Sequence, residues 1–480
     1  MQSNHLPPDA VLFSPCFQRD RVARWLNHTL VLIVVMGWCV RGLAADKETR
    51  GELKIGFSQV DITPPAGAII TGPGAPASTG TDDPLRARAM VVQSGDRKLA
   101  IVGVDLVKIR RDLADQAIAL VTQQTGITRD AVLICPSHNH SSPLIQMQGE
   151  KATANKEYIA TLPKLIADSI IQADQELQPA RMSIGRALVY EGHCNRRVIS
   201  KADGLVLNVW LKKLNDLKQV PQVLGSEGPI DPELWVARFD SLDGKMLGTL
   251  VNFTCHPCLH DRIKIHTWSA DFPGVIAEHI AEAYGKQAVC VFTQGCSGNI
   301  EPPVMWTPDW KERSAVFAQA AVDAAKDAIP VQEPVIVDYA RRDVDVPRCN
   351  AEAQRPEAIT RLGWRPESFE GAKRTAESMP RTLNVPVSAA RIGPFAIATN
   401  AGELFVEWGI SVKKRSPFPH TVVSELTNDW VGYEPTELAF QHEGYETLAG
   451  ANFVSLEGIQ KLVDTSVDLL TELWKKDRKN

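Results

Sequence analysis

The sequence predicts an α/β fold, with a mixed β-sheet core flanked by helices in a single large domain. Two patterns predict it. Short apolar runs bounded by Pro, Gly and Ser are typical of buried strands, and longer stretches with an apolar residue every three or four positions are typical of helices. The two patterns alternate along the chain, as they do in α/β cores. No internal repeat or linker interrupts residues 46–480, so we interpret them as one domain.

The first half of this domain is predicted from its turns and helix ends. Residues 56–65 read as a strand that two prolines end, and residues 86–107 as a hairpin with a Ser-Gly-Asp turn. A helix over residues 113–126 ends at a glycine, which suits a helix C-terminus. An apolar strand over residues 131–136 and a helix over residues 158–177 follow.

The second half continues the alternation. We predict hairpins at 232–251 and 385–399, strands at 288–292 and from 422, and helices at 271–285, 313–329 and 455–475. Asp271 suits the N-cap of its helix, and the last helix has the apolar spacing of one buried face. Residues 343–380 are charged and contain prolines, so we predict a lid or surface excursion there.

The composition is that of an ordinary globular protein. The chain has 480 residues, of which 44% are hydrophobic and 23% charged, with a formal net charge of -5. This apolar content is enough for a large core. The nearly balanced charge gives no indication of nucleic-acid binding.

Residues 1–45 have the pattern of an export signal. Arginines precede an apolar run over residues 30–40, and small residues follow it. The alternative is an N-terminal membrane anchor, but the run is shorter than the roughly 20 residues that span a bilayer. Export implies an oxidising compartment. Of nine cysteines, Cys16 and Cys39 lie in the signal, and seven remain.

The main functional pattern is His138-Asn-His140 at the end of the strand predicted over residues 131–136. Side chains two positions apart in a strand point to the same side. Strand ends are where α/β proteins place their sites, and imidazole is the commonest metal ligand. The alternative is a pair of ordinary histidines in a polar loop.

Other strand ends offer similar groups. His256 ends the strand of the second predicted hairpin, Glu403 lies before a helix, and Tyr433 follows the strand that starts at 422. Two or three imidazoles with a carboxylate suit a zinc ion that keeps an open position for water. Glu403 also has the simpler explanation of a favourable helix dipole.

Seven short motifs, in this order, resemble those of the neutral/alkaline (non-lysosomal) ceramidase family, which are secreted or membrane-associated zinc amidases. They are Val60-Asp-Ile-Thr-Pro, His138-Asn-His-Ser-Ser-Pro, Asn195-Arg196, Asn252-Phe-Thr-Cys-His256-Pro, Gly298-Asn-Ile-Glu-Pro, Gly402-Glu403-Leu-Phe and Asn428-Asp-Trp-Val-Gly-Tyr433. The resemblance runs from about residue 56 to the last helix and implies a mixed α/β catalytic domain.

The resemblance also implies roles for individual residues. His138, His256, Glu403 and Tyr433 would hold Zn²⁺, and His140 would face the substrate carbonyl and stabilise the oxyanion. Arg196 would lie on the polar wall of the substrate site; from sequence alone, Arg196 and Arg197 suit either a solvated turn or an anion site. The implied reaction is hydrolysis of a carboxylic amide, an N-acyl bond of the ceramide type, by metal-activated water. A lipid amide substrate and peripheral membrane contact follow from the same resemblance.

Two departures set this chain apart. The family has a serine in the pattern Gly-Asp/Asn-x-Ser-Pro, and here Glu301 stands in its place. The resemblance covers the catalytic domain, without the immunoglobulin-like domain that the family's ceramidases carry after it. We therefore expect zinc hydrolysis with a substrate other than ceramide, and a catalytic contribution of Glu301 to activating the water.

Three other interpretations stay open. Cys255-His-Pro-Cys258 has the spacing of a thiol–disulfide redox site, or of two thiolate ligands to a structural zinc. Because Glu301 replaces the serine, the chain can also be a lipid- or glycan-binding protein that kept the fold and lost the chemistry. An esterase with the same zinc chemistry is the third alternative.

Overall fold

The computed structural model describes residues 51–71, 75–145, 154–208, 223–261, 266–303, 309–349 and 366–478. The predicted export signal lies outside these ranges. Residues Glu48–Asn480 form one compact unit. Among the helices in the described ranges, none is both long enough and apolar enough to cross a bilayer.

The strands alternate with the helices along the chain. The strands are β1 (Lys54–Asp61), β2 (Gly80–Thr81), β3 (Arg86–Ser94), β4 (Arg97–Val104), β5 (Val132–Pro136), β6 (Gln178–Leu188), β7 (Cys194–Asn195), β8 (Arg197–Ser200), β9 (Val206–Asn208), β10 (Val223–Ser226), β11 (Glu233–Ser241), β12 (Met246–Phe253), β13 (Thr267–Trp268), β14 (Val289–Gln294), β15 (Ile300–Glu301), β16 (Ile329–Pro330), β17 (Val337–Pro347), β18 (Thr382–Ile392), β19 (Phe395–Thr399), β20 (Glu403–Leu404), β21 (His420–Ser424) and β22 (Tyr433–Glu434). The described helices are α1 (Arg111–Thr125), α2 (Lys156–Gln175), α3 (Asp271–Tyr284), α4 (Trp310–Lys326), α5 (Pro366–Ser378), α6 (Val406–Arg415), α7 (Glu437–His442) and α8 (Leu456–Arg478).

The larger sheet has the order β14-β12-β11-β6-β1-β3-β4-β5, with β16 paired to β6. Its central pairs are antiparallel, and the pair at each end, β12 with β14 and β4 with β5, is parallel. Parallel neighbours need a crossover, which α3 and α1 supply. The sheet is strongly curved, since β14 at one end also contacts β3, β4 and β5 at the other.

A second sheet, in the order β17-β18-β19-β21, covers one face of the first. The alternation of side chains along β18 shows this: Ala390 and Ile392 pack into the core shared by the two sheets, while Val387 and Ala389 pack outward. That outward face is covered by α8 and α6, and α1 to α4 cover the larger sheet. The layers therefore run helix, sheet, sheet, helix, and the predicted mixed α/β class is confirmed.

Most predicted elements are present, with two differences. Ala270, not Asp271, is the N-cap of α3, because the Asp271 carboxylate accepts the backbone N–H of His260 at 2.7 Å. The segment 343–380 includes the end of β17 and the helix α5. Residues 350–365 lie outside the described ranges, so a lid stays a prediction.

Candidate functional site

His138 follows the buried strand β5 by two residues and is itself buried. Its φ of 65° lies in the left-handed region, which few residues other than glycine adopt. Its Nδ1 atom lies 2.7 Å from the carbonyl oxygen of Val107. Because a carbonyl only accepts hydrogen bonds, Nδ1 carries the proton and the lone pair is on Nε2.

His256 is held in the same way at the end of β12. Its Nδ1 lies 2.7 Å from the Ser297 carbonyl oxygen and 3.1 Å from that of Ile300, so its lone pair is also on Nε2. The Ser297 hydroxyl in turn donates to the buried Glu425 carboxyl at 2.6 Å. These contacts fix both the ring orientation and the tautomer, as second-layer partners of metal-binding histidines do.

The two Nε2 atoms face each other at 2.9 Å. One oxygen of Glu403 lies 3.3 Å from the Nε2 of His138 and 3.8 Å from that of His256. Burial, the Arg196 charge and the neighbouring histidines hold the pKa of His256 well below its usual range. Two facing lone pairs repel each other, and a proton on His256 is disfavoured, so the geometry favours a shared cation.

His140 completes a group of three imidazoles. The nitrogen atoms that His138, His140 and His256 offer lie within 4.8 Å of one another. His138 and His256 are buried, whereas His140 is partly exposed. Imidazole nitrogens together with a carboxylate oxygen are the donor set of hydrolytic metal sites, and the residues present therefore fit a divalent metal ion.

Backbone pairing brings Glu403 and Tyr433 together. The short strands β20 and β22 are parallel, with Glu403 opposite Tyr433. Trp430 Nε1–H donates to the other Glu403 oxygen at 3.0 Å. Burial raises the pKa of Glu403, but the neighbouring His138 and the hydrogen bonds that Tyr433 and Trp430 donate outweigh it and hold the pKa at about 2. Glu403 is therefore a carboxylate throughout the physiological range.

A chain of hydrogen bonds leads away from Glu403. Tyr433 is its first member, and the Tyr445 hydroxyl donates to the Tyr433 hydroxyl at 2.7 Å. Arg196 Nη2 donates to the Tyr445 hydroxyl at 2.7 Å. Each hydroxyl accepts one hydrogen bond and donates the next, so the Tyr433 proton is directed towards Glu403. Burial, and next the Glu403 charge, raise the pKa of Tyr433 well above its usual value.

Comparison with known proteins finds relatives in sequence and in fold. The neutral ceramidase of Pseudomonas aeruginosa is 23% identical over 337 residues, which make up 66% of this chain and 46% of that protein. The chain thus spans about half the length of this curated relative. The crystal structure of neutral ceramidase from Pseudomonas aeruginosa matches with a TM-score of 0.67 at 19% identity, over 88% of this chain and 75% of that one. This chain has the neutral ceramidase fold.

A second solved structure, a ceramidase complexed with C2, gives a TM-score of 0.68 at 19% identity, over 88% of this chain and 76% of that one. No protein-family model matches the chain. The resemblance to the neutral ceramidases that the motifs predict is confirmed, and it extends over most of the chain. The roles of individual residues are not tested by these comparisons and stay predictions.

The arginine pair lies inside this ceramidase fold, and neither sequence-based interpretation of it, a solvated turn or an open anion site, describes it. Arg197 is fully buried and donates to Glu227 at 2.5 and 2.9 Å and to Glu446 at 2.8 Å. Arg196 is 3% exposed; it donates to Glu446 at 3.2 Å, and Glu301 lies 3.8 Å from it. Its predicted place on a substrate wall stays a prediction, since most of its donors serve the protein itself.

Glu301, the departure from the family pattern, lies in β15 next to Ile300, whose carbonyl oxygen holds His256. The side chain is 1% exposed, and β15 pairs with β7 so that Glu301 lies opposite Cys194. Glu301 is therefore the neighbour in sequence of a residue that contacts His256, a candidate metal ligand. Whether it acts on water stays a prediction.

Cys255 gives no support to the redox interpretation. It is fully buried, and burial, with smaller contributions from neighbouring acidic groups, raises its pKa well above the usual value. The thiolate, not the thiol, is the redox nucleophile and the metal ligand, so a raised pKa disfavours both thiol chemistry and zinc ligation here.

Lys108 lies beside this site and was missed by the sequence reasoning. Its ammonium nitrogen lies 3.3 Å from the centroid of the Trp430 ring. Burial lowers its pKa to about 8, although Glu403 acts in the opposite direction. The sequence signal that could have pointed to Lys108 is its position four residues after the end of strand β4, since the candidate histidines also follow strand ends.

A second missed feature is a row of three polar side chains behind His140. Ser141 Oγ lies 2.7 Å from His260 Nδ1, and His260 Nε2 lies 3.0 Å from Asp82 Oδ2. The residue types are those of a Ser-His-Asp triad. However, Ser141 is 1% exposed and His260 is fully buried, so no substrate reaches the hydroxyl. We interpret the row as a support for the loop that carries both candidate histidines.

Proposed function

We propose that this chain is a zinc-dependent amidohydrolase that cleaves the N-acyl bond of a ceramide-like amide. The observation that carries the proposal is the pair of facing imidazole nitrogens, 2.9 Å apart, with the Glu403 carboxylate at 3.3 Å. The similarity to neutral ceramidase supports the reaction class. His138, His256, Glu403 and Tyr433 would hold the ion, which lowers the pKa of bound water and polarises a carbonyl.

The protein's own groups have separate tasks in this proposal. His140, the partly exposed imidazole, donates to the oxygen of the substrate carbonyl as negative charge develops there. Tyr433 is held beside Glu403 by its hydrogen bonds to Glu403 and Tyr445, and in this proposal its proton turns from Glu403 to the same oxygen in the transition state. Arg196 donates to the Tyr445 hydroxyl and so keeps Tyr445 in position to donate to Tyr433.

The proposed reaction has no acyl-enzyme. Glu301 stands where the family pattern has a serine, and a carboxylate cannot serve as an activated hydroxyl. We propose instead that Glu301 orients or deprotonates the attacking water. The alternative, a lipid- or glycan-binding protein on the same fold, predicts ligand binding without turnover. An esterase predicts turnover of esters and not of amides.

We further propose that the protein is exported and cleaved near residue 45, and that it meets lipid substrates by peripheral membrane contact. The pattern of residues 1–45 supports the export proposal. The similarity to neutral ceramidase supports the lipid proposal.

The experiment measures metal content and hydrolysis together. Purified protein is assayed on a short-chain ceramide, N-acyl amino acids and simple esters, before and after chelation and zinc addition. We expect one zinc per chain and amide hydrolysis that chelation abolishes. His256→Ala should lose both, and His279→Ala, a histidine on α3 outside the site, should keep both. If the purified protein binds no zinc, the proposed function is wrong. If a covalent acyl-enzyme is detected, the proposed mechanism is wrong.

A further inference from the structure

Lys108 lies one aromatic ring away from the candidate metal ligands. The preceding residue, Val107, holds His138 through its carbonyl oxygen at 2.7 Å. The Lys108 ammonium lies on the face of Trp430, 3.3 Å from the ring centroid, and the indole N–H of Trp430 donates to Glu403 at 3.0 Å. Lys108 therefore has a fixed place beside the proposed reaction centre.

Among the described residues, the Glu403 charge acts on Lys108 without forming a direct ion pair. Within the part of the chain that the structure describes, no carboxylate forms an ion pair with Lys108. The two arginines of the same region differ, because Arg196 and Arg197 are both paired with Glu446. A ring face attracts an ammonium but accepts few of its hydrogen bonds, and an ammonium has three N–H donors. Lys108 is partly exposed as a residue, while its ammonium is buried enough to lower the pKa of the group. A ligand that enters the site can still reach these donors.

The charge balance of the site points to the kind of ligand. Glu403 contributes one negative charge, and an imidazole that binds a metal ion does so in its neutral form, so a divalent cation there would leave an excess of positive charge even before Lys108 is counted. Placing a further ammonium beside that excess is unfavourable in a partly desolvated site unless an anion accompanies it. A single ammonium suits one carboxylate, whereas phosphate recognition more often uses several donors or a bidentate arginine.

We propose that Lys108 binds a carboxylate of the substrate next to the scissile amide, so that the preferred substrates are N-acyl amino acids. This inference rests on the proposed amide hydrolysis and names its substrate class. It explains why a site of the ceramidase type would carry an ammonium that has no ion-pair partner among the residues described, since ceramide itself is neutral.

The experiment compares two substrates that differ only in charge. N-dodecanoylglycine carries the carboxylate, and N-dodecanoylglycinamide replaces it with a neutral amide of similar size. We expect the unmodified protein to prefer the glycine by about 10- to 100-fold in kcat/KM, the usual scale for a charge-assisted contact. Lys108→Met should remove most of this preference, chiefly through KM, and Lys108→Arg should keep part of it.

A matched control is Lys164→Met, at an exposed position on α2 where the lysine pairs with Asp168. This variant should leave kcat/KM unchanged for both substrates. A merely structural role of Lys108 would lower turnover of both substrates equally, and that result would overturn the proposal. So would a preference of the unmodified protein for the glycinamide.

Binding separates this inference from the proposed function. Titration calorimetry with N-dodecanoylglycine should show binding to the unmodified protein and at least tenfold weaker binding to Lys108→Met. If neither substrate is cleaved but this difference is found, the amidohydrolase proposal fails and Lys108 remains a carboxylate site. Equal binding to both proteins would overturn the Lys108 proposal whatever the turnover.

Discussion

Replacing Tyr433 with phenylalanine tests the centre of the site. The change removes one hydroxyl and keeps the ring. In the structure that hydroxyl accepts from Tyr445 at 2.7 Å and is hydrogen-bonded to Glu403. Losing a group that stabilises developing negative charge costs about 10²- to 10³-fold in kcat. We expect a fall of this size with a small change in KM, because the group acts mainly in the transition state.

The same change has a calculable effect on stability. Two buried hydrogen bonds are lost, and the Tyr445 hydroxyl keeps its donor from Arg196 but loses its acceptor. A buried polar group left without its partner costs about 1–3 kcal/mol. We therefore expect the free energy of unfolding to fall by about 1–3 kcal/mol, measured by urea denaturation, which leaves the protein folded for the kinetic assay.

Tyr445→Phe is the matched control. It removes the next hydroxyl of the same chain and leaves the contact between Tyr433 and Glu403 in place. Its stability loss should be similar and its loss of kcat much smaller, since its hydroxyl lies one step further from the reacting atoms. Full activity of Tyr433→Phe would refute the reasoning. Equal losses of kcat in both variants would show that catalysis depends on the whole hydrogen-bond chain and not on the Tyr433 hydroxyl itself.

The remaining predictions concern stability, pH and processing. Burial raises the pKa of Glu434 to about 8, so the folded state holds a proton that the unfolded state has released above about pH 4.5. Stability should therefore fall as the pH rises from about 4.5 to 8, and Glu434→Gln should remove this dependence in urea denaturation curves at several pH values. Arg197→Met should cost about 3–5 kcal/mol in the same assay, because it removes the buried guanidinium shared by two buried carboxylates, Glu227 and Glu446. N-terminal sequencing of exported protein should begin near residue 46, and an intact Met1 in soluble cytoplasm would refute export.

The sequence predicts the fold because its signals are local. The glycine after α1 has φ 72° and accepts the left-handed conformation that the helix end needs, as predicted. The hairpin of β11 and β12 and the apolar face of α8 follow in the same way from turn chemistry and periodicity. Each of these features is decided within a few residues, and such features can be read from one chain.

The site is only partly predictable for the opposite reason. His138 and His256 can be assigned to strand ends, but they are 118 positions apart, and only the fold shows that their nitrogens face each other. The arginine pair misleads, because its carboxylate partners lie up to 250 positions away. Lys108 is similar, since its contact with Trp430 depends on two loops that meet in space.

Two glycines of the ceramidase-like motifs, Gly298 and Gly402, lie where chain segments of the candidate site pack closely together. A Cβ atom at Gly298 would overlap the carbonyl group of Glu403, and one at Gly402 would overlap the side chain of Glu434. Both glycines let segments that carry candidate ligands, or lie next to them, approach closely, so we assign them to the geometry of the candidate metal site. Position 301, three residues after Gly298, is also buried, and it is where this chain departs from the family pattern. The candidate ligands and the close approaches around them fit a metal ion, whereas position 301 differs from the family pattern, which is why we propose the family's amide hydrolysis without its serine.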